Sequence, residues 1–593
     1  MLKKSYAWTL TLLSLFYFCV SAYPTDVKDA TCEVEVLAEV KVPMRDGVNL
    51  RANIFVPKMD GEFPVILMRT PYGKGDEEQS GSLHYASHGF VRVNQDCRGR
   101  GTSGGEWEPF LNEIPDGYDT LKWILEQPWC NGKIGTAGAS YVGFTQWMLA
   151  PGSGEHLKAM FPGVPMVDPY QDLLGTHGAF PLGDVMGWGS DMSFRPGEEN
   201  PLEDWTDDDW GKAYRLLPLC TWDVQAVGRK IQYLRDWMSH LYYDEYWKKR
   251  TIADRLDEIT TPICVVGGWY DIFAKSALEH VGRVRTTSAS KKARQHQHVV
   301  IGPWIHGGDE KGKVGDLDFG KKDEVRMWRV YWDLETRWFD YWLKGKETGV
   351  EDLPPYRIFV MGRNEWRDEQ EWPLKRTRYT AFYIHSNGSA NTLDGDGTLS
   401  KTKPTDTSPD KYVYDPEDPV PTSGGCVLAG APAGPRDQRE VEKREDVLVY
   451  TGEALKEEIE VTGPVKVVLY AASSAPDTDW TAKLVDVYPD GRAINLCDGI
   501  IRARCRESAE NPILIEPERI YRYDIDLWVT SNVFLAGHRI RVEISSSNFP
   551  RFDRNPNTGH ALGVDSEIRK AAQTVYHDSK HPSHIRLPII PGR

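Results

Sequence analysis

No excess of basic residues, no C-x-x-C pair and, past residue 22, no long apolar run occur in these 593 residues. Each absence removes a class of function. With 71 Lys and Arg against 87 Asp and Glu the formal net charge is −16, so bulk electrostatic capture of nucleic acid or of an anionic membrane surface is not expected. Structural zinc has no cysteine framework. His577, His581 and His584 cluster near the end, but Pro582 interrupts them and no cysteine or acidic ligand set accompanies them, so no metal and no cofactor is expected. A spanning helix needs about 20 apolar residues, and nothing beyond the first segment offers them.

What is present reads as a folded, exported chain. Lys3 and Lys4 precede an apolar run from Ala7 to Val20, and Val20-Ser21-Ala22 supplies small residues before Tyr23. This is the pattern of a secretory signal over residues 1–22, cleaved near Ala22, which implies a periplasmic or extracellular protein without stable membrane insertion. Removing Cys19 leaves eight cysteines whose pairing the sequence leaves open. At about 150 residues per domain the length implies roughly two to four domains, and the sequence assigns no oligomeric state.

The periodicity divides the chain. Val65-Ile66-Leu67-Met68, Phe90-Val91-Arg92-Val93 and Ile134-Gly135-Thr136 read as buried strands, with Tyr118, Leu121, Trp123, Ile124 and Leu125 apolar at helical spacing between the last two. Strand, helix, strand in that order predicts a parallel sheet with crossover helices. The pattern lapses after Asp168 and resumes at Ile263-Cys264-Val265-Val266 and His298-Val299-Val300-Ile301. Val325, Trp328, Trp332, Trp338 and Trp342 are then expected on one face of an amphipathic helix. The predicted organisation is an α/β domain over 33–167 and 253–352, split by a helical cap insertion at 168–252. That insertion includes a helix from Val224 to His240. Its Trp188, Trp205, Trp210 and Trp222 suit either a pocket lining or the insertion's own core. From 353 to 593 the period becomes two, as in Val465 to Tyr470 and Ile540 to Ile544, which predicts an all-β jelly-roll sandwich.

Three loop signals carry chemistry. Gly138-Ala139-Ser140-Tyr141-Val142-Gly143 follows a strand and opens a helix, so small neighbours can let a serine adopt a strained turn and expose its hydroxyl; the second glycine sits one place later than in G-x-S-x-G. A serine alcohol needs a base, and the base an orienter. Gly268-Trp269-Tyr270-Asp271 and Gly302-Pro303-Trp304-Ile305-His306 each put a polar residue after a strand, giving the order Ser140, Asp271, His306 of α/β-hydrolases. The backbone N–H of Tyr141 is one expected oxyanion donor. Tyr72, after Arg69-Thr70-Pro71, is either a second donor or a packed turn residue. Gly99-Arg100-Gly101-Thr102-Ser103-Gly104 matches G-x-G-x-x-G, but the chain beyond it does not open a helix, which argues against a dinucleotide. Asp96, Arg98 and Arg100 are expected to pair locally and brace that turn.

Together with Gln95-Asp96-Cys97-Arg98-Gly99, Phe359-Val360-Met361-Gly362 and Ser546-Ser547-Asn548-Phe549-Pro550, these motifs resemble the CocE/NonD hydrolases of the Xaa-Pro dipeptidyl-peptidase superfamily, over nearly the whole chain. The resemblance implies an α/β-hydrolase domain, a helical cap and a jelly roll. It implies Ser140 as nucleophile, His306 as base, Asp271 as its orienter and Tyr72 as an oxyanion donor. It places Phe273 and Trp188 at an acyl pocket. Val427-Leu428-Ala429 lacks a bulky aromatic found in an esterase of that family, which implies a wider pocket. The related α-amino-acid ester hydrolases bind an ammonium with a carboxylate cluster; Asp168 matches one member, whereas Phe273 and Ala274 stand where two others are expected. The expected activity is a secreted serine hydrolase acting on a small-molecule acyl ester or amide through an acyl-enzyme. An acylase or Xaa-Pro dipeptidyl-peptidase-like amide hydrolase is the alternative, and a non-catalytic carbohydrate-binding protein is the alternative of another class.

Overall fold

The computed structural model describes residues 32–175 and 177–592; the expected signal segment lies outside them. Ten strands form the first sheet. They are β1 (Val34–Pro43), β2 (Asn49–Pro57), β3 (Phe63–Thr70), β4 (Val91–Asp96), β5 (Cys130–Ala139), β6 (Leu157–Gly163), β7 (Ile263–Tyr270), β8 (Gln297–Ile305), β9 (Tyr356–Val360) and β10 (Glu365–Glu369), in the order β1-β2-β4-β3-β5-β6-β7-β8-β9-β10. The run from β4 to β9 is parallel. The outer strands β1, β2 and β10 are antiparallel. Every residue of β3 and β7 is buried, as expected of parallel strands covered on both faces. Crossover helices α1 (Glu113–Leu125) and α2 (Tyr141–Leu149) follow β4 and β5. Because β4 lies on one side of β3 and β5 on the other, the winding reverses between β3 and β5. That topological switch point leaves a crevice at the carboxyl ends of these strands.

Just past the expected boundary at 353, β9 pairs parallel with β8 and β10 pairs with β9, so these two strands extend the first sheet. Their apolar side chains Ile358, Phe359 and Val360 are buried in its core. The second sheet begins at Arg378–His385 and has 11 strands. Among them Asp479–Val487 is buried at every position. Its polar residues are paired inside: Lys483 with Glu543 at 3.4 Å and Asp486 with His538 at 2.8 Å.

Between β6 and β7 the chain carries short helices, among them α3 (Leu182–Asp191) and α4 (Gln232–Ser239). The single helix expected from Val224 to His240 is instead two pieces, a π-helical turn at Asp223–Val227 and then α4. The break follows from Asp223, whose carboxylate accepts the Ile231 N–H at 2.8 Å and pairs with Arg235 at 2.8 Å. After β7 and β8 come α5 (Ala274–Thr287) and α6 (Met327–Lys344). The tryptophan stripe expected on one face of α6 is also corrected. Trp338 is fully buried, while Trp328, Trp332 and Trp342 are only partly so, and the buried face runs through Tyr331, Leu334 and Phe339. At about 100° per residue, the six-residue step from Trp332 to Trp338 turns roughly 240° and leaves the stripe.

Candidate active site

β5 delivers Ser140 to the crevice edge. Gly138 has φ +126°, and a Cβ there would stand 2.2 Å from Val142 Cγ1, so the strand can turn into α2 only without a side chain at that position. Ser140 itself has φ 60° and ψ −126°, a strained conformation that stores energy at a functional turn. Its N–H donates to Gly163 O at 2.9 Å, and its carbonyl accepts from Gly143 and Phe144. The displaced second glycine has a steric reason: a Cβ on Gly143 would lie 2.9 Å from Pro165 Cβ, where α2 crosses the end of β6.

Asp271 and His306 follow the last residues of the neighbouring strands β7 and β8. Asp271 is fully buried, and its Oδ1 accepts the Phe273 N–H at 2.6 Å. That leaves Oδ2, which lies 2.6 Å from His306 Nδ1, while His306 Nε2 lies 2.9 Å from Ser140 Oγ. Donation of the Nδ1 proton to the carboxylate fixes the tautomer in which Nε2 is free to accept the serine proton. The aromatic residues of the two loop motifs hold the strand ends in place. Trp269 Nε1 donates to Phe359 O at 2.7 Å, Tyr270 hydroxyl to Asn495 O at 3.2 Å, and Trp304 Nε1 to Val325 O at 2.8 Å. Phe273 sits edge-on to the His306 ring at 5.4 Å.

Tyr141 is the first residue of α2, so its N–H belongs to the first turn, which has no intrahelical acceptor. Its phenol is buried and clamped, accepting from Phe110 N at 2.7 Å and donating to Glu113 Oε1 at 3.1 Å. Burial pushes this phenol well above its ordinary pKa, and burial likewise raises the Glu113 carboxyl, which the Arg69 guanidinium at 2.9 Å opposes. Tyr72 is half-buried two residues past β3, with its N–H on Thr70 Oγ1 at 3.1 Å. Since β3 and β5 are parallel neighbours, the Tyr72 loop and the Ser140 turn open on the same edge.

Of the four tryptophans considered in the insertion, Trp188 alone is in ring contact with a site residue. It stacks on Tyr141 at 6.1 Å, on Phe110 at 5.9 Å and on Trp237 at 6.2 Å. Trp222 is core: fully buried, with Nε1 donating to Ala213 O. Trp205 and Trp210 pack edge-on against each other at 4.8 Å.

The carboxylate of Asp168 accepts the N–H groups of Tyr170 and Gln171 at 2.9 and 3.1 Å. It lines a polar cavity of about 480 Å³ together with Asp172, Glu279, Lys275 and Asp526, a lining that includes neither Ser140 nor His306. Burial raises both Asp168 and Asp172 to about 6. His577 belongs to a wholly internal network in the second sheet, with Nε2 on Asp410 at 2.9 Å and on Ser386 at 3.0 Å.

The expected local pairing of Asp96, Arg98 and Arg100 is corrected for the two arginines. Asp96 binds Lys74, Arg98 pairs with Asp46 and Asp116, and Arg100 reaches Pro71 O and Met192 O. The two arginines leave the turn and find partners across the fold, whereas Asp96 also braces the turn, its Oδ2 accepting the Thr102 N–H at 3.3 Å. Sequence reasoning also missed Asp184 on α3. Its buried Oδ1 accepts from the N–H groups of Leu428 and Ala429 at 2.8 and 2.9 Å, which ties the insertion to the second-sheet loop. No local pattern marked it.

Residues 46–308 match the model of the X-Pro dipeptidyl-peptidase (S15 family), and residues 348–586 that of the X-Pro dipeptidyl-peptidase C-terminal non-catalytic domain. A cocaine esterase from Rhodococcus sp. is 41% identical over 577 residues, covering 94% of this chain and 98% of its own. The chain belongs to the CocE/NonD family of hydrolases. This CocE/NonD protein is an enzyme, a serine hydrolase. It is also similar to the structure of an aminopeptidase from the marine sediment archaeon Thaumarchaeota archaeon, with 27% identity, a TM-score of 0.80 and coverage of 96% and 98% of the two chains. A Staphylococcus aureus CocE/NonD family hydrolase shares the fold at 19% identity and TM-score 0.68, with 94% of each chain covered.

Proposed function

We propose that this CocE/NonD hydrolase cleaves carboxylic esters of small molecules through an acyl-enzyme on Ser140. The observation that carries the reading is the continuous hydrogen-bonded chain from Ser140 Oγ through His306 to Asp271. Ser140 Oγ attacks the ester carbonyl as its proton passes to His306 Nε2, and Asp271 stabilises the imidazolium that forms. The oxyanion is held by the Tyr141 N–H and the Tyr72 phenol. The imidazolium then protonates the departing alcohol, leaving an acyl-Ser140 ester. Water, deprotonated by His306, attacks that ester; the second tetrahedral intermediate releases the carboxylic acid as the proton returns to Ser140.

In this reading the helices between β6 and β7 act as a cap, Trp188 and Phe273 border the acyl group, and the second sheet forms a jelly-roll domain. Support comes from the stacking of Trp188 on Tyr141 and the contact of Phe273 with His306. Residues 1–22 direct export, on the strength of their charged start and apolar run. The likeness to an aminopeptidase favours amide cleavage as a second activity, which matched p-nitrophenyl esters, anilides and X-Pro anilides would separate. An active-site fluorophosphonate is expected to label Ser140, and Ser140→Ala to lose ester turnover by roughly 10⁴-fold or more. Full turnover by that variant would end the assignment.

A further inference from the structure

Arg100 belongs to the one glycine-rich motif that the hydrolytic reading leaves unused. The residue is 3% exposed. Nε donates to Pro71 O at 2.6 Å, the carbonyl directly before Tyr72, and Nη1 donates to Met192 O at 2.8 Å. Met192 caps the C-terminus of α3, and its own N–H returns to Trp188 O at 2.9 Å. The guanidinium also lies over the Trp107 ring at 5.2 Å, and Trp107 packs on the Tyr141 ring at 5.4 Å. One side chain therefore touches the Tyr72 loop, the last turn of the helix that carries Trp188, and the aromatic wall behind Tyr141.

The charge of Arg100 is as informative as its contacts. Its hydrogen-bond acceptors are two carbonyls and the Met192 thioether sulfur at 4.0 Å, and among the described residues no carboxylate pairs with it. Tyr233, Cys97, Asp191 and the Tyr72 phenol act on it only through space. Burying a cation without a counter-ion is costly. Two features reduce that cost, a helix C-terminus facing the cation and an indole face beneath it. Neither cancels the positive charge, so its field remains available where negative charge develops on a substrate oxygen.

We propose that Arg100 is a positioning residue for the oxyanion hole: it fixes the Tyr72 loop against the end of α3, so that seating of the helix bearing Trp188 and alignment of the Tyr72 phenol are one structural event. The proposal rests on the assignment of Tyr72 and the Tyr141 N–H as oxyanion donors. A lysine can keep the charge but cannot span both carbonyls in the guanidinium's planar fork.

The test uses the full mature protein, wild type and three variants: Arg100→Met, Arg100→Lys and Tyr72→Phe. It measures kcat and KM on a short p-nitrophenyl ester, affinity for an arylboronic acid as a tetrahedral mimic, and folding by near-ultraviolet circular dichroism. Arg100→Met is expected to lower kcat by about 10–100-fold with KM within about threefold, and to weaken the boronate in parallel. Arg100→Lys is expected to fall between it and the wild type. A folded Arg100→Met with kcat within twofold overturns the proposal, as does a drop in kcat without loss of boronate affinity. If Arg100→Met does not fold, Arg100→Lys decides: a kcat within twofold of wild type refutes the two-carbonyl bridge, and a loss with parallel boronate weakening sustains it. Tyr72→Phe separates the two readings. If it costs nothing, the oxyanion assignment itself fails; if it costs while the Arg100 variants do not, only the role of Arg100 falls.

Discussion

Replacing Ser140 in two ways measures the strain of its turn apart from its chemistry. At φ 60° and ψ −126° a residue with a Cβ bears about 1–3 kcal/mol of backbone strain. Ser140→Ala keeps the Cβ and hence the strain, whereas Ser140→Gly removes both. Both variants forfeit the 2.9 Å bond to His306, so that loss cancels when the two are compared. The greater freedom of glycine in the unfolded chain offsets about 0.4–1 kcal/mol of the relief. Ser140→Gly should therefore be the more stable of the pair by about 1 kcal/mol. For an α/β domain of roughly 300 residues the unfolding entropy is about 0.6 kcal/mol/K, so the gap in melting temperature is ~2 °C. Differential scanning calorimetry on the two inactive variants reads it directly. A glycine variant that melts at or below the alanine variant would show that the turn is unstrained and that the elbow geometry has been misjudged.

Two further outcomes test the site. Asp271→Asn places an amide where Oδ2 accepts the His306 proton, favouring the wrong tautomer; kcat should fall by roughly 10⁴-fold with KM little changed, and a loss under tenfold in steady-state assays would contradict the role of Asp271 as orienter. Asp184 titrates at about 6 instead of 3.8, chiefly because it is buried. Its neutral form favours the fold, so the stability it contributes is complete below about pH 4 and is lost as pH rises through 6. Asp184→Asn should accordingly show a smaller fall in melting temperature between pH 4.5 and 7.5 than the wild type, and an equal or larger fall would refute the shift.

Much of the site was legible because each of its parts is announced locally. Ser140, Asp271 and His306 each follow a strand whose apolar run is unmistakable, and their order along the chain is that of one known topology. The Trp and Tyr flanking Asp271 and His306 could be seen in the sequence, but their task could not: Trp269 and Trp304 anchor strand ends through indole hydrogen bonds to Phe359 and Val325. That β9 and β10 extend the first sheet was not legible, because they read with the same period of two as the strands that follow. Only the partner strand shows which sheet they join.

The sequence by itself determined the buried strands of the parallel sheet and which three loops after them carry a serine, a carboxylate and a histidine, because those signals depend on neighbours a few residues apart. It could not say that Arg100 leaves its own turn to hold Pro71 and Met192, that Asp184 grips a loop some 240 residues away, or that Trp188 faces the site while Trp222 does not. Such pairings depend on which side chains converge when sheet, insertion and second domain pack together. Polar groups removed from water must find partners wherever the tertiary structure brings them.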